Sequence, residues 1–304
     1  MSSAIMNQIA VLFILIALGF LLRKRNLINN EFTKSASDLV IYVTLPSMIV
    51  ASMDRDFSAA LIKTGFSIFL CGSLMYVLLI VSAFTFSRLR KIEDGDRQVY
   101  EFMMIFGNVA YLGYPVLKIM FGEMGVFYGS FLNIWFNILV WTLGIKLMHK
   151  DQRKIDFFRA FLNPGLIAIG LGMIIFVFPV DIPQALKTTL NILGEMTVPL
   201  CMLLIGAFMT EARFKDFLAN KNLYLFSLTK LVVMPLAMML IMMPFKITST
   251  VKVIPVVMSG MPAGVNTAIF ARKFGRNYHL ASQGVVLSTA ISLLTIPILL
   301  LVVM

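Results

Sequence analysis

The sequence predicts an all-α integral membrane protein: ten transmembrane helices arranged as two inverted five-helix repeats, with helices 4 and 9 broken where they cross. Three observations carry this expectation. The 304 residues are 59% hydrophobic and only 13% charged, and apolar stretches recur from end to end, more than a soluble core of this size can bury. Lysine and arginine favour every second connection. A single offset of 153 residues relates four places in the two halves of the chain.

Helix 1 (4–22) is an uninterrupted apolar run followed by Arg23, Lys24 and Arg25. No basic residue precedes it, so it reads as an inserted helix rather than a cleaved signal. Helices 2 (34–53) and 3 (61–86) follow, the first carrying Pro46. Helix 4 (98–120) holds Gly107, Asn108, Gly113 and Pro115 within nine positions; glycine disfavours a helix by about 1 kcal/mol and proline by about 3 kcal/mol relative to alanine. In helix 5 (124–148), Asn133, Asn137 and Trp141 recur every four residues on one face. Helices 6 (160–180) and 7 (185–209) come next, the latter with Glu195 and Pro199. Helix 8 (221–244) contains Lys230. Helix 9 (250–273) is interrupted around Gly260, Pro262 and Gly264, and helix 10 (278–303) carries Ser288, Ser292 and Thr295.

Positive charge sets the expected orientation. The connections after the odd-numbered helices hold 19 of the 26 Lys and Arg, the opposite connections six, and Lys230 lies within helix 8. Basic connections stay in the cytoplasm. Both termini are therefore expected outside, in a multi-pass protein of the plasma (inner) membrane. The same bias accounts for the net charge of +11 and removes it as an argument for nucleic-acid binding.

The offset pairs Thr44-Leu45-Pro46 with Thr197-Val198-Pro199, Gly19 with Gly172, Gly107 with Gly260, and Phe121-Gly122 with Phe274-Gly275. Repeats of five helices, an odd number, cross the membrane in opposite senses. The expected halves are residues 1–153 and 154–304. Irregular backbone at membrane depth is tolerated only where protein or a wet cavity covers it, and breaks at matching places in inverted halves point to a transport site. Pro115 suits the first turn of half-helix 4b, and Asn266 the cap of half-helix 9b. Half-helix N-termini favour an anion such as a carboxylate; the opposing C-terminal carbonyls favour a cation.

Three stretches, "LVIYVTLPSMIVASM" in helix 2, "GNVAYLGYPVL" in helix 4 and "GMPAGVNTAIFARKFG" in helix 9, together resemble the auxin efflux carrier family in its short prokaryotic form. The resemblance covers essentially the whole chain. It implies an architecture similar to bile-acid/sodium symporters and sodium–proton antiporters. Helices 1, 2, 6 and 7 would be scaffold, and 3–5 with 8–10 the transport part, with a possible homodimer through the scaffold. It also implies a secondary transporter of small organic anions, auxin-, malate- or malonate-like, working by alternating access. Asn108 matches the family's asparagine at the first break. The expected substrate-binding residues are Asn108, Gly113 and Pro115 at that break, Pro262, Gly264, Asn266 and Thr267 at the second, and Asn137 on helix 5.

Two charges lie within helices. An ionised carboxylate at the bilayer centre costs roughly 2.5–3.5 kcal/mol on insertion scales, and the carbonyl of Glu195 loses its helical donor to Pro199; Glu195 is thus a candidate for a coupling proton or Na⁺, against a purely structural role. Lys230 either snorkels to the interface, compensates a substrate's charge or pairs with an acid. Lys118, Glu101 and Asp38, nearer helix ends, read as interfacial. No CxxC, HExxH or phosphate-loop motif occurs, and Cys71 and Cys201 fall in apolar runs. An enzyme, a resident cofactor and a metal site are therefore not expected. The alternatives are a sodium–proton antiporter, which the lack of paired acids at the breaks disfavours, and a channel- or receptor-like membrane protein.

Overall fold

The computed structural model describes residues 2–149, 163–178, 181–211 and 220–303. The expected boundary at 153/154, most of the 149–159 connection, Arg213, Lys215 and the outer ends of helix 6 lie outside the described residues. Every regular element described is helical: α1 (Ser2–Lys24), α2 (Asn30–Met53), α3 (Ala59–Leu89), α4a (Asp96–Ile105), α4b (Tyr114–Phe121), α5 (Glu123–Met148), α6 (Pro164–Val177), α7 (Gln184–Phe208), α8 (Lys221–Met242), α9a (Ser249–Ser259), α9b (Asn266–Lys273) and α10 (Tyr278–Val303). Seven of these (α1, α2, α3, α5, α7, α8 and α10) are long and apolar enough to cross a membrane; α6, α9a and the segment Val109–Phe121 are apolar but shorter.

Surface chemistry agrees with this class. On α3, Phe66, Leu70, Leu74, Val77 and Val81 form an exposed stripe at three- and four-residue spacing, while Ile68, Met75, Leu79 and Ala83 are buried on the other face. An apolar stripe of this length is solvated by lipid and would be a liability in water.

Three of the four wide π-type turns among the described residues, Val40–Thr44, Val109–Gly113 and Thr229–Val233, end two residues before a proline, Pro46, Pro115 and Pro235; the fourth, Val140–Gly144, precedes none, and Pro255 and Pro297 lie inside helices without such a turn. Proline removes one helical donor and its ring crowds the carbonyl four residues back. Widening the preceding turn relieves that crowding while the helix continues. In α7 the same conflict is met differently: the helix is interrupted at Met196, between Glu195 and Thr197. The half-helices α4b and α9b are both followed by a glycine in the left-handed region, Gly122 at φ +60° and Gly275 at φ +64°, which stops each chain sharply.

The chain divides into two compact units. The first comprises Met1–Phe66, Ala110–Asn137 and Phe158–Thr210. Its most extensive packing sets α1 along the second half of α7 and α6 along the second half of α2. Small residues permit this: a methyl group at Gly19 would collide with the Leu203 carbonyl, and one at Gly206 with the Ile16 carbonyl. Such close backbone approach is how membrane helices associate without a hydrophobic driving force. The second unit comprises Ser67–Val109, Ile138–Phe157 and Glu211–Met304. Here Phe86, Tyr100 and Phe226 join α3, α4a and α8 through rings 5.9–6.5 Å apart.

Glu101 departs from its interfacial expectation. It is 2% exposed, and its Oε1 accepts from Arg97 Nε at 2.8 Å and from Ser87 Oγ at 2.6 Å. Lys118 pairs with Glu123 at 2.8 Å, and Asp38 is exposed.

Candidate functional site

The site begins where α4a runs out. Glycine and asparagine at 107 and 108 end the helix after Ile105, and Phe106 turns to φ −102°, ψ 85°. Similarly α9a stops at Ser259, before Gly260, Met261 and Pro262. The two interruptions meet. Gly107 and Ala263 form an antiparallel bridge, flanked by Asn108 N–H to the Pro262 carbonyl at 2.7 Å and Gly264 N–H to the Phe106 carbonyl at 3.0 Å. Backbone groups freed by both breaks thus satisfy one another, as buried irregular backbone requires. The glycines allow it: a Cβ on Gly264 would lie 3.1 Å from the Phe106 oxygen, and one on Gly107 3.1 Å from the Met261 oxygen. Gly107 therefore meets not Gly260, its partner at the 153-residue offset, but a residue three positions further on.

Side chains hold this junction. Ser288 Oγ on α10 accepts the Ala263 N–H at 3.1 Å and itself donates to the Gly284 carbonyl at 2.7 Å. Lys230 on α8 is fully buried. Its Nζ donates to the Met104 carbonyl at 2.8 Å, and among the described residues no carboxylate lies within salt-bridge distance of it. It neither snorkels nor pairs with an acid. Its amine fills one of the orphan carbonyls at the end of α4a.

Several expected residues fall elsewhere. Asn266 does not cap α9b: it is the first helical residue, the capping position belongs to Val265, and no side chain bonds there. The backbone turns one residue earlier than the asparagine because Gly264, committed to Phe106, fixes where the helix starts. Thr267 is fully buried, and its hydroxyl has no hydrogen-bond partner among the described residues. Gly113 and Pro115 stand beyond the first break, at the junction of the wide turn with α4b, in the first unit. Pro115 does occupy the first turn of α4b, as expected, but the wide turn Val109–Gly113 precedes it, so that turn is not a free N-terminus.

Asn137 also belongs to the first unit. It is buried, and its amide donates to the Asn133 carbonyl at 2.9 Å. Asn133 in turn donates to the Tyr114 hydroxyl at 3.1 Å, which lies 3.3 Å from Ser130 Oγ. Glu195 is exposed, ends the first half of α7, and makes no ion pair among the described residues. The junction thus brings together Asn108, Pro262, Gly264 and, through Met104, Lys230. Near it in the chain's second unit are an uncapped helix start at α9b, the buried Thr267 hydroxyl and the buried Lys230 amine. Sequence reasoning missed the Met104 carbonyl and the role of Phe106, because backbone groups leave no side-chain signature.

A family profile described as membrane transport protein matches residues 4–300. The chain belongs to this family. It is the auxin efflux carrier family to which helices 2, 4 and 9 pointed, a family of transporters and not of enzymes. Membrane transport proteins similar to it include an uncharacterized transporter of Methanocaldococcus jannaschii, 25% identical over 305 residues and covering 96% of both chains. An uncharacterized transporter of Methanothermobacter thermautotrophicus is 25% identical over 293 residues, covering 94% of both.

Proposed function

We propose that the chain is a secondary transporter of small organic anions, carboxylates of the malate, malonate or auxin-like kind, working by alternating access. Ten spans in two inverted repeats, 1–153 and 154–304, would place the crossed breaks of helices 4 and 9 at the substrate. These would move relative to scaffold helices 1, 2, 6 and 7, which also offer a homodimer contact. Both termini would face outward from the plasma membrane. The observation that carries this reading is the hydrogen-bonded junction of Phe106–Asn108 with Pro262–Gly264, where two helix interruptions meet. Glu195 and Lys230 supply the charged groups for a coupling proton or Na⁺ and for charge compensation. The junction contains amides and a hydroxyl but no acidic pair, which favours an anion over antiport of Na⁺ against protons.

Counterflow in proteoliposomes tests the proposal. Vesicles loaded with unlabelled dicarboxylates should accelerate entry of labelled malonate, and a panel of metabolites should compete in proportion to carboxylate content. Uptake that is indifferent to internal substrate would indicate a channel and overturn alternating access.

A further inference from the structure

A cavity of about 640 Å³ lies in the second unit, away from the helix junction. It is bounded by the end of α3, the start of α4a, the end of α5 and the connection before α10. None of its lining residues belongs to the crossed breaks: Glu101 precedes Phe106 by five residues and Arg97 by nine, which at ~1.5 Å of helical rise each are about 7 and 13 Å.

Its charges are unequally matched. Arg97 is spent on buried Glu101, which Ser87 also holds. Asp94, the other lining acid, lies close to Arg97 and accepts a hydrogen bond from Gln98 at 2.7 Å. Arg276 donates Nε to the Met148 carbonyl at 2.9 Å and Nη2 to the His149 carbonyl at 3.2 Å. These are neutral acceptors, so its charge is uncompensated and its remaining edge is available. Lys146 is exposed, and among the described residues no carboxylate lies within salt-bridge distance of it or of Arg276. Opposite in character, Phe84, Leu143 and Leu147 give the same cavity an apolar, half-buried wall.

A fixed arginine, a free lysine and an apolar wall suit a ligand with an anionic head and an organic body. Arginine and lysine together are the usual partners of phosphate oxygens, and basic pockets between helices on the cytoplasmic side accept lipid headgroups. The charge bias assigns this end of the chain to that side. We propose that the cavity binds a phosphate ester, with the phosphate on Lys146 and Arg276 and the organic part against Phe84, Leu143 and Leu147. Two sources carry this chemistry: the headgroup of an anionic glycerophospholipid, or a soluble phosphorylated metabolite. The inference does not depend on the cargo that the transporter carries.

Native mass spectrometry and thermal-shift measurements on the full chain in detergent test it, with phosphatidylglycerol, phosphatidylcholine and glycerol 3-phosphate as probes. Phosphatidylglycerol should bind at one site and raise the melting temperature more than phosphatidylcholine. Lys146→Gln should weaken that binding at least tenfold. Arg276→Lys, which retains charge should the connection need it, should weaken it less than Arg276→Gln. Raising ionic strength from ~0.1 M to ~1 M, which shortens the screening length from about 10 to 3 Å, should release the ligand. Saturation by glycerol 3-phosphate alone, with the same dependence on Lys146, would name the soluble source and still support the site. Equal binding by the parent chain and Lys146→Gln, or displacement by malonate, would overturn it; the latter would make the cavity part of the substrate path.

Discussion

A lysine amine enclosed by apolar side chains must find an acceptor or lose its charge. Lys230 finds the Met104 carbonyl, near the end of α4a. Removing it would strand that carbonyl without water, which costs about 1–3 kcal/mol. Lys230→Met, similar in length, should therefore lower unfolding stability by roughly 2 kcal/mol, and should also reduce substrate affinity, because Phe106 and Asn108 follow immediately. Thermal unfolding beside binding of a radiolabelled dicarboxylate measures both; an unchanged melting temperature would mean that the carbonyl has another donor. Glu195 makes the opposite case. It is exposed and bonds to nothing described, so Glu195→Gln should leave stability unchanged. If Glu195 holds a coupling ion, the variant should lose acceleration of uptake by an imposed pH or Na⁺ gradient while binding substrate normally. Full gradient dependence in Glu195→Gln proteoliposomes would reduce it to a surface carboxylate.

At the scale of elements, what was legible in the sequence was local. Gly107, Asn108 and Gly260 to Gly264 mark breaks because glycine, asparagine and proline act on their own backbone. The described segments between them are helical, as their apolar runs predict, because such runs need no partner to be recognised. What the breaks do was not legible: the bridge from Gly107 to Ala263 joins residues far apart in sequence through main-chain atoms. The burial of Glu101 likewise depends on Ser87, 14 residues earlier, although Arg97 four residues before it was a readable helical pair. The wide turns fall between these cases. Pro235 is visible, but its consequence, a turn at Thr229–Val233 that carries Lys230, follows only when the helix is built. Pro235→Ala should restore the missing donor and let that turn tighten, rotating the preceding part of α8 by roughly 100° per residue absorbed. Lys230 would leave Met104. The variant should then lose substrate affinity like Lys230→Met, although alanine is the better helix former. Normal affinity in Pro235→Ala would show that the turn is held by packing instead.

At the scale of the whole molecule, each compact unit draws on both halves of the chain. The first takes residues from before 67 and after 157, and the second from before 110 and after 210. No sequence half contains a whole unit, so neither unit can close until much of the second half has been inserted: the first needs residues up to 210 and the second residues up to 304. Orientation is therefore decided by what each connection can do as it is made, and the strongest local signal is positive charge. Arg23, Lys24 and Arg25 follow α1, Arg88, Arg90 and Lys91 end α3, and Arg272, Lys273 and Arg276 follow the break in helix 9. These three connections should lie on one side, and the Arg55–Lys63 and Met243–Thr248 connections on the other. The native cysteines, Cys71 and Cys201, are both buried, so serine replacements give a silent background. Single cysteines at Arg25, Arg90 and Arg276 should resist an impermeant thiol reagent in intact cells and react after lysis, whereas cysteines at Asp56 and Lys246 should react in intact cells. Labelling of Arg90→Cys but not Lys246→Cys would reverse the whole chain, because adjacent spans cannot reorient singly once Gly19 and Gly206 have locked α1 to α7.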